Sequence, residues 1–71
     1  MNQFEALTPR GRLILAQLCA GRTHKEVADA IGISIKTVDN HLCRHRRKWR
    51  ARTTVELVAK VLASGELRGA V

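Results

Sequence analysis

The most basic part of the sequence is the stretch SIKTVDNHLCRHRRKWR, from Ser34 to Arg50. Nine of the thirteen lysines and arginines follow Ser34, and six of them fall between Arg44 and Arg52. The net charge of +7 and the isoelectric point near 10.8 favour a polyanionic partner, nucleic acid first and an anionic membrane surface second. The alternative for such a charge run is a solvated helix face that binds nothing.

Three side chains in this stretch have the chemistry to read DNA bases. The amide of Asn40 can pair with adenine, and the carboxylate of Asp39 can accept a hydrogen bond from N4 of cytosine. Cys43 lies on the same outward side of the predicted helix and is grouped with them. For Asp39 two simpler roles stay open, which are an exposed pair with Lys36 and a favourable interaction with the positive end of the helix dipole.

A second group of polar and basic side chains is predicted to contact phosphates. Protein–DNA interfaces direct roughly half to two-thirds of their hydrogen bonds to the nucleic-acid backbone, so most polar contacts should be of this kind. The start of a helix adds N–H groups that favour anions. The predicted phosphate contacts are Thr23, Lys25, Lys36, Thr37, His41, Arg44, Arg47 and Lys48.

The same stretch contains two histidines, His41 and His45, at a spacing that would suit two metal ligands on one helix. No convincing third ligand accompanies them, so neither a metal nor a cofactor is expected. His41 is predicted to bond to backbone or phosphate, and His45 to lie at the edge of the core with a local partner. Because no nucleophile–base set and no phosphate-binding loop is evident, the chain is not expected to be an enzyme.

Capping residues divide the chain into four predicted helices. Thr8 followed by Pro9 marks the first start, and Ser34 marks the third. Thr23 and Thr53 each precede a glutamate by three residues, as in a capping box. The helices are predicted at about 9–20, 24–31, 35–49 and 54–63, and their short connections leave no room for strands. The predicted fold is all-α, a four-helix bundle.

The third helix has two different faces when its residues are placed at about 3.6 per turn. One stripe is largely apolar and is predicted to enter the core: Ile35, Val38, Leu42, His45 and Trp49. The second and third helices meet across a very short turn. Ala28 allows close approach, Gly32 can adopt a left-handed conformation, and Val38 locks the two helices together, which predicts a helix-turn-helix at about 24–49.

Four segments of the sequence carry a family resemblance: LTPR from Leu7, KEVADAIGIS from Lys25, KTVDNHL from Lys36 and VELVAKVL from Val55, with Arg-Lys at positions 47 and 48. Together they resemble the DNA-binding domain of LuxR-type transcriptional regulators over about residues 6–65. The resemblance implies that the third helix enters the major groove and that the fourth helix forms a dimer contact. It also matches Asp39 and Asn40 to a familiar variant of the motif.

The sequence departs from this family at several positions. Acidic residues are usual in the family where this chain has Gly11 and Leu13. An aliphatic residue is common where His45 stands, and leucine where Trp49 stands. Arg50 replaces the glycine that follows the third helix, which removes the residue that usually ends it.

We therefore expect residues 1–71 to form one domain that acts as a sequence-specific DNA-binding transcriptional regulator. It is expected to bind double-stranded DNA as a homodimer. The alternative is a small protein-interaction module or antagonist that pairs with another regulator or with RNA polymerase. The residues predicted to form the dimer interface are Val55, Leu57, Val58, Val61 and Leu62.

The sequence shows no secretion signal and no apolar run long enough to cross a membrane. A cytoplasmic location without membrane association is the expectation. Either a complete small regulator or an excised domain fits the sequence, and the operator, the effector and the sign of regulation stay open.

Overall fold

The computed structural model describes residues 7–67, which contain four helices and no strand. The helices are α1 (Pro9–Cys19), α2 (His24–Ile31), α3 (Ile35–Trp49) and α4 (Thr54–Ser64). The all-α prediction is confirmed, and each helix boundary lies within one residue of the predicted one. No helix in the described part of the chain has the length and apolar character needed to span a membrane.

Each helix begins at a hydroxyl side chain that accepts a hydrogen bond from the N–H group three residues later, as predicted. At α2 the capping box is complete, because Glu26 also accepts from the N–H of Thr23 at 2.8 Å. At α4 the predicted box is only half formed. The carboxylate of Glu56 accepts from the N–H of Arg52, one residue before the capping Thr53, at 2.9 Å.

The third helix ends at Arg50 even though no glycine is present. Arg50 adopts the left-handed conformation, with φ 56° and ψ 44°, and is the non-glycine residue with positive φ among the described residues. The ammonium group of Lys60 on α4 donates to the carbonyl oxygens of Trp49 and Arg50, at 3.3 and 2.9 Å. These bonds satisfy two of the acceptors that a helix end exposes, and they tie α4 to the end of α3.

The core lies around α3, which packs against each of the other three helices. Val38, Leu42 and Trp49 on α3 are buried, as the apolar stripe predicts. Ile35 was predicted on this stripe but is 45% exposed, because it lies in the first turn of α3, at the edge of the packing. The remaining buried apolar residues of the described chain are Leu7, Ile14, Leu15, Val27, Ala28, Leu57, Val61 and Leu67.

The structure divides the five residues predicted for a dimer interface into two groups. Leu57 and Val61 are both 0% exposed, so the prediction is wrong for these two: they complete the core and have no surface left for another chain. Val55 and Leu62 are 81% and 47% exposed, and Val58 is partly exposed. The apolar surface of α4 is therefore narrower than its sequence suggests, because one side of the helix packs against this chain.

Candidate nucleic-acid interface

The outward side of α3 presents a polar and basic groove. The groove has a volume of about 410 Å³. It is lined by Thr37, Asn40, Cys43, Arg44 and Arg47. None of these described lining residues is acidic. They project outward because Val38, Leu42 and Trp49 anchor the opposite side of the helix in the core. The groove thus brings together two of the residues predicted to read bases, Asn40 and Cys43, and three of those predicted to bind phosphates, Thr37, Arg44 and Arg47.

The basic run after Cys43 is not uniformly directed outward. Arg44, Arg47 and Lys48 are exposed. Arg46 instead donates to the hydroxyl of Thr54 at 3.2 Å, which links α3 to the start of α4. Arg46, Arg47 and Lys48 all lie in the last turn of α3, where positive charge is stabilised by the helix dipole.

Asp39 does not line the groove. One of the open roles paired it with Lys36, but its partner is a different residue. Its carboxylate is 3.0 Å from Nδ1 of His24, the first residue of α2. The His24 side chain is 42% exposed and the Asp39 side chain 56%. The pair is therefore open to water and contributes little to stability. The contact places Asp39 on the flank of α3 that faces α2.

Thr23 and Lys25, predicted to bind phosphate at the start of α2, both have intramolecular partners. Thr23 uses its hydroxyl and its N–H group in the capping box with Glu26. The ammonium group of Lys25 lies 3.1 Å from the carboxylate of Asp29, in an exposed pair one helical turn apart. Because such pairs are weak in water, Lys25 can exchange this partner for a phosphate at little cost.

On the flank of α3 away from Asp39, a second cleft of about 480 Å³ lies against the start of α1. Its lining residues are Thr8, His41, Arg44, His45, Arg47 and Lys48, and none of them is acidic. Nη2 of Arg44 donates to Nδ1 of His41 at 3.3 Å. Burial lowers the pKa of His41, and the positive charges of Arg44, His45 and Arg10 lower it further.

His45 is buried at the edge of the core, and the prediction that it has a local partner is confirmed. Its Nδ1 donates to the carbonyl oxygen of His41 at 2.7 Å, and only 6% of the residue is exposed. The opposite edge of the ring lies against Gly11 on α1, where an added Cβ would lie 2.5 Å from Nε2. The glycine at position 11 and the histidine at position 45 therefore fit one another sterically.

Sequence reasoning did not find all of the residues at this surface. No role at this surface was predicted for Thr8 or His24, although Thr8 lines the cleft beside His41 and His24 contacts Asp39. The sequence contained only a weak signal for them: Thr8 was identified as a helix cap, and nothing in the spacing indicated that α1 begins beside His41. The described residues contain no group of three or more potential metal ligands.

Comparisons with known proteins find similar sequences over most of the chain. Residues 5–61 match the family described as bacterial regulatory proteins, luxR family. The chain is 38% identical over 61 residues to the transcriptional regulatory protein MctR of Rhizobium johnstonii, covering 86% of this chain and 28% of MctR. It is 31% identical over 67 residues to the tetrathionate response regulatory protein TtrR of Salmonella typhimurium, covering 92% of this chain and 32% of TtrR.

A shorter relative is similar along most of its length. The spore germination protein GerE of Bacillus subtilis is 36% identical over 61 residues, which cover 86% of this chain and 82% of GerE. The chain therefore spans about a third of MctR and TtrR but most of GerE. No solved structure is similar at a comparable level of significance.

Proposed function

Because the chain belongs to the luxR family of bacterial regulatory proteins, we propose that it is a sequence-specific DNA-binding transcriptional regulator that inserts α3 into the major groove. The observation that carries this proposal is the outward groove of α3, which is basic, free of acid along its described lining, and rigidly backed by the core. A major groove about 12 Å wide admits one α-helix, whose outward side chains then meet the base edges.

Within this proposal, some residues on and beside the outward side of α3 contact bases and others contact the phosphate backbone. Asn40 and Cys43 in the groove face the bases. Asp39, on the flank beside His24, accepts a hydrogen bond from N4 of cytosine. The residues proposed to hold phosphates on the two sides of the groove are Thr23, Lys25, Lys36, Thr37, His41, Arg44, Arg47 and Lys48. Family membership confirms the expectation that the chain is a regulatory protein rather than an enzyme.

The protein is further proposed to act as a homodimer in the cytoplasm, with α4 as the contact. After Leu57 and Val61 are assigned to the core, the surface left for this contact is Val55, Val58 and Leu62. These residues are spaced by three and four positions and so share one side of the helix. A cleft of about 350 Å³ that includes Leu18 of α1 extends the same surface. The alternative partner for this surface of α4 is another regulator or RNA polymerase.

Selection of bound duplexes from a random pool tests the proposal, and recovery of a defined half-site, repeated symmetrically for a dimer, is the expected result. Affinity should fall steeply with salt, because each neutralised phosphate adds roughly 0.9 to the slope of log affinity against log salt. Arg47→Gln should reduce that slope by about one phosphate contact.

The matched control is Arg46→Gln, which removes the same charge from the neighbouring residue. Because Arg46 is bonded to Thr54 rather than directed into the groove, this change should leave the slope unaltered. Circular dichroism verifies that both variants are folded. A salt response that is flat for the unaltered protein, or equal losses for the two variants, would contradict the proposed orientation of α3.

A further inference from the structure

We infer that the cleft between the start of α1 and α3 is a second backbone site, which binds a DNA phosphodiester on the side of the groove away from α2 and takes up a proton when it does so. This inference rests on the proposed function, since it assumes that α3 lies in the major groove. It adds the start of α1 to the interface, and it makes DNA binding dependent on pH.

The placement of the helices supplies the geometrical argument. The contact of His24 with Asp39 places the start of α2 on one flank of α3. The cleft that joins Thr8 to His41 and His45 places the start of α1 on the other. A helix in the major groove has the phosphates of one DNA strand on one side and those of the other strand on the opposite side. The start of α2 and the start of α1 thus face different strands, and both present the positive end of a helix dipole.

The chemistry of the cleft selects an anion rather than a metal. The side chains of Arg44, Arg47 and Lys48 give it a positive potential that disfavours a cation, and no described lining residue is acidic. His41 accepts a hydrogen bond on Nδ1 from Arg44, so its proton is on Nε2 and it offers no free lone pair to a metal.

The buried His45 lines the cleft and fixes the backbone at His41. Its Nδ1 donates to the carbonyl oxygen of His41 at 2.7 Å. The Nε2 edge of the ring lies against Gly11, where an added Cβ would be 2.5 Å away, so α1 and α3 approach each other closely at the cleft. His45 therefore holds the two sides of the cleft together, and His41 is the histidine left to donate to an anion there.

Proton uptake follows from the surroundings of His41. The charged groups that face it are Arg44 and His45 on its own helix and Arg10 on α1, and they and burial lower its pKa, so the neutral form dominates in the free protein at neutral pH. A phosphate between Arg44 and His41 would let both side chains donate and would raise the pKa of His41. The added affinity is present below the pKa of the free protein and is lost as pH rises through the pKa of the complex.

The three histidines of the chain allow a matched experiment. Duplex affinity is measured between about pH 5.5 and 8 at constant salt, and the unaltered protein should lose about tenfold over this range. His41→Gln should bind more weakly at low pH and show a change of no more than about twofold. His24→Gln is the control and should retain the full pH dependence, because His24 lies on the other flank.

Two further measurements separate this site from a merely structural role. His41→Lys should restore tight binding and make it independent of pH, because the cation is then permanent. Nuclear magnetic resonance of the histidine rings should show the pKa of His41 rising when duplex is added, but not when inorganic phosphate is added at millimolar concentration. A rise with inorganic phosphate alone would identify a free-anion site and overturn the inference.

The outcomes also distinguish this inference from the proposed function. If no duplex binds under any condition, both are wrong. If duplex binds with a steep salt dependence but its affinity is flat with pH and unchanged in His41→Gln, the proposed function stands and the second backbone site does not exist.

Discussion

At the scale of single residues, contacts between helices decide what a side chain of α3 is able to do. His41 and His45 share a spacing that suggests a pair, but the structure gives them different tasks. His45 is held by a backbone carbonyl and by the space that Gly11 leaves, whereas His41 opens onto a cationic cleft. The absence of a side chain at position 11 is therefore linked to the presence of an imidazole at position 45.

Asp39 gives the first test at this scale. Asp39→Ala should bind DNA at least as tightly as the unaltered protein, because a carboxylate near phosphates is removed. It should discriminate less at one base pair of each half-site, by roughly 1–3 kcal/mol. Binding to a panel of operators substituted at each position measures this loss.

His24→Ala is the informative companion, because it removes the partner and keeps the carboxylate. This variant should retain discrimination if Asp39 reads a base. Should Asp39→Ala weaken or strengthen binding to every operator equally, Asp39 serves only as the partner of His24 and as a charge near the start of α3.

At the scale of elements, α3 is fixed at both ends by different means. Ser34 accepts from the N–H of Thr37 at the start, which is a local arrangement. At the other end a non-glycine residue occupies the left-handed region, and Lys60 from α4 satisfies carbonyl groups there. The end of α3 thus depends on contacts with α4. A glycine at position 50 would make those contacts less necessary.

Arg50→Gly tests this interpretation. Glycine populates positive φ without the steric cost that other residues incur there, so the substitution should raise the free energy of unfolding by about 1 kcal/mol. Urea unfolding followed by circular dichroism measures the change. Arg52→Gly is the control: it removes the same charge at a residue whose φ is not positive, and it should leave stability equal or lower. A loss of stability in Arg50→Gly would show that the arginine contributes more than its backbone strain costs.

At the scale of the whole molecule, α4 has one side buried in the core and an apolar side that stays exposed. Leu57 and Val61 close the core, while Val55, Val58 and Leu62 remain available to another chain. Because of this division, a change from valine to aspartate should have different consequences on the two sides of α4.

Val55→Asp should reduce self-association and operator affinity while the chain stays folded, since Val55 is 81% exposed. Val61→Asp should instead unfold the chain, because it buries a carboxylate with no partner, at a cost of several kcal/mol. Sedimentation equilibrium and circular dichroism on the two variants separate the effects. A protein that is monomeric at every concentration and on its operator would contradict dimerisation through α4.

The sequence alone determined the parts of this protein that depend on neighbours within about four residues. The capping threonines and serine, the turn at Gly32 and the alternation of faces along α3 all act within a single turn of helix, so spacing predicts them directly. The four helices follow from these features. The family resemblance rests instead on the sequence motifs themselves, and family membership confirms it.

Tertiary structure decided which side chains meet across helices. His24 reaches Asp39 over fifteen positions, Gly11 admits His45 over thirty-four, and the core takes Leu57 and Val61 while leaving Ile35 exposed. A helical wheel shows which residues share a face, but it does not give the angle and offset at which two helices pack. Because those are set by all the side chains of the core together, the flanks of α3 and the width of the free surface on α4 emerge only when the whole chain is folded.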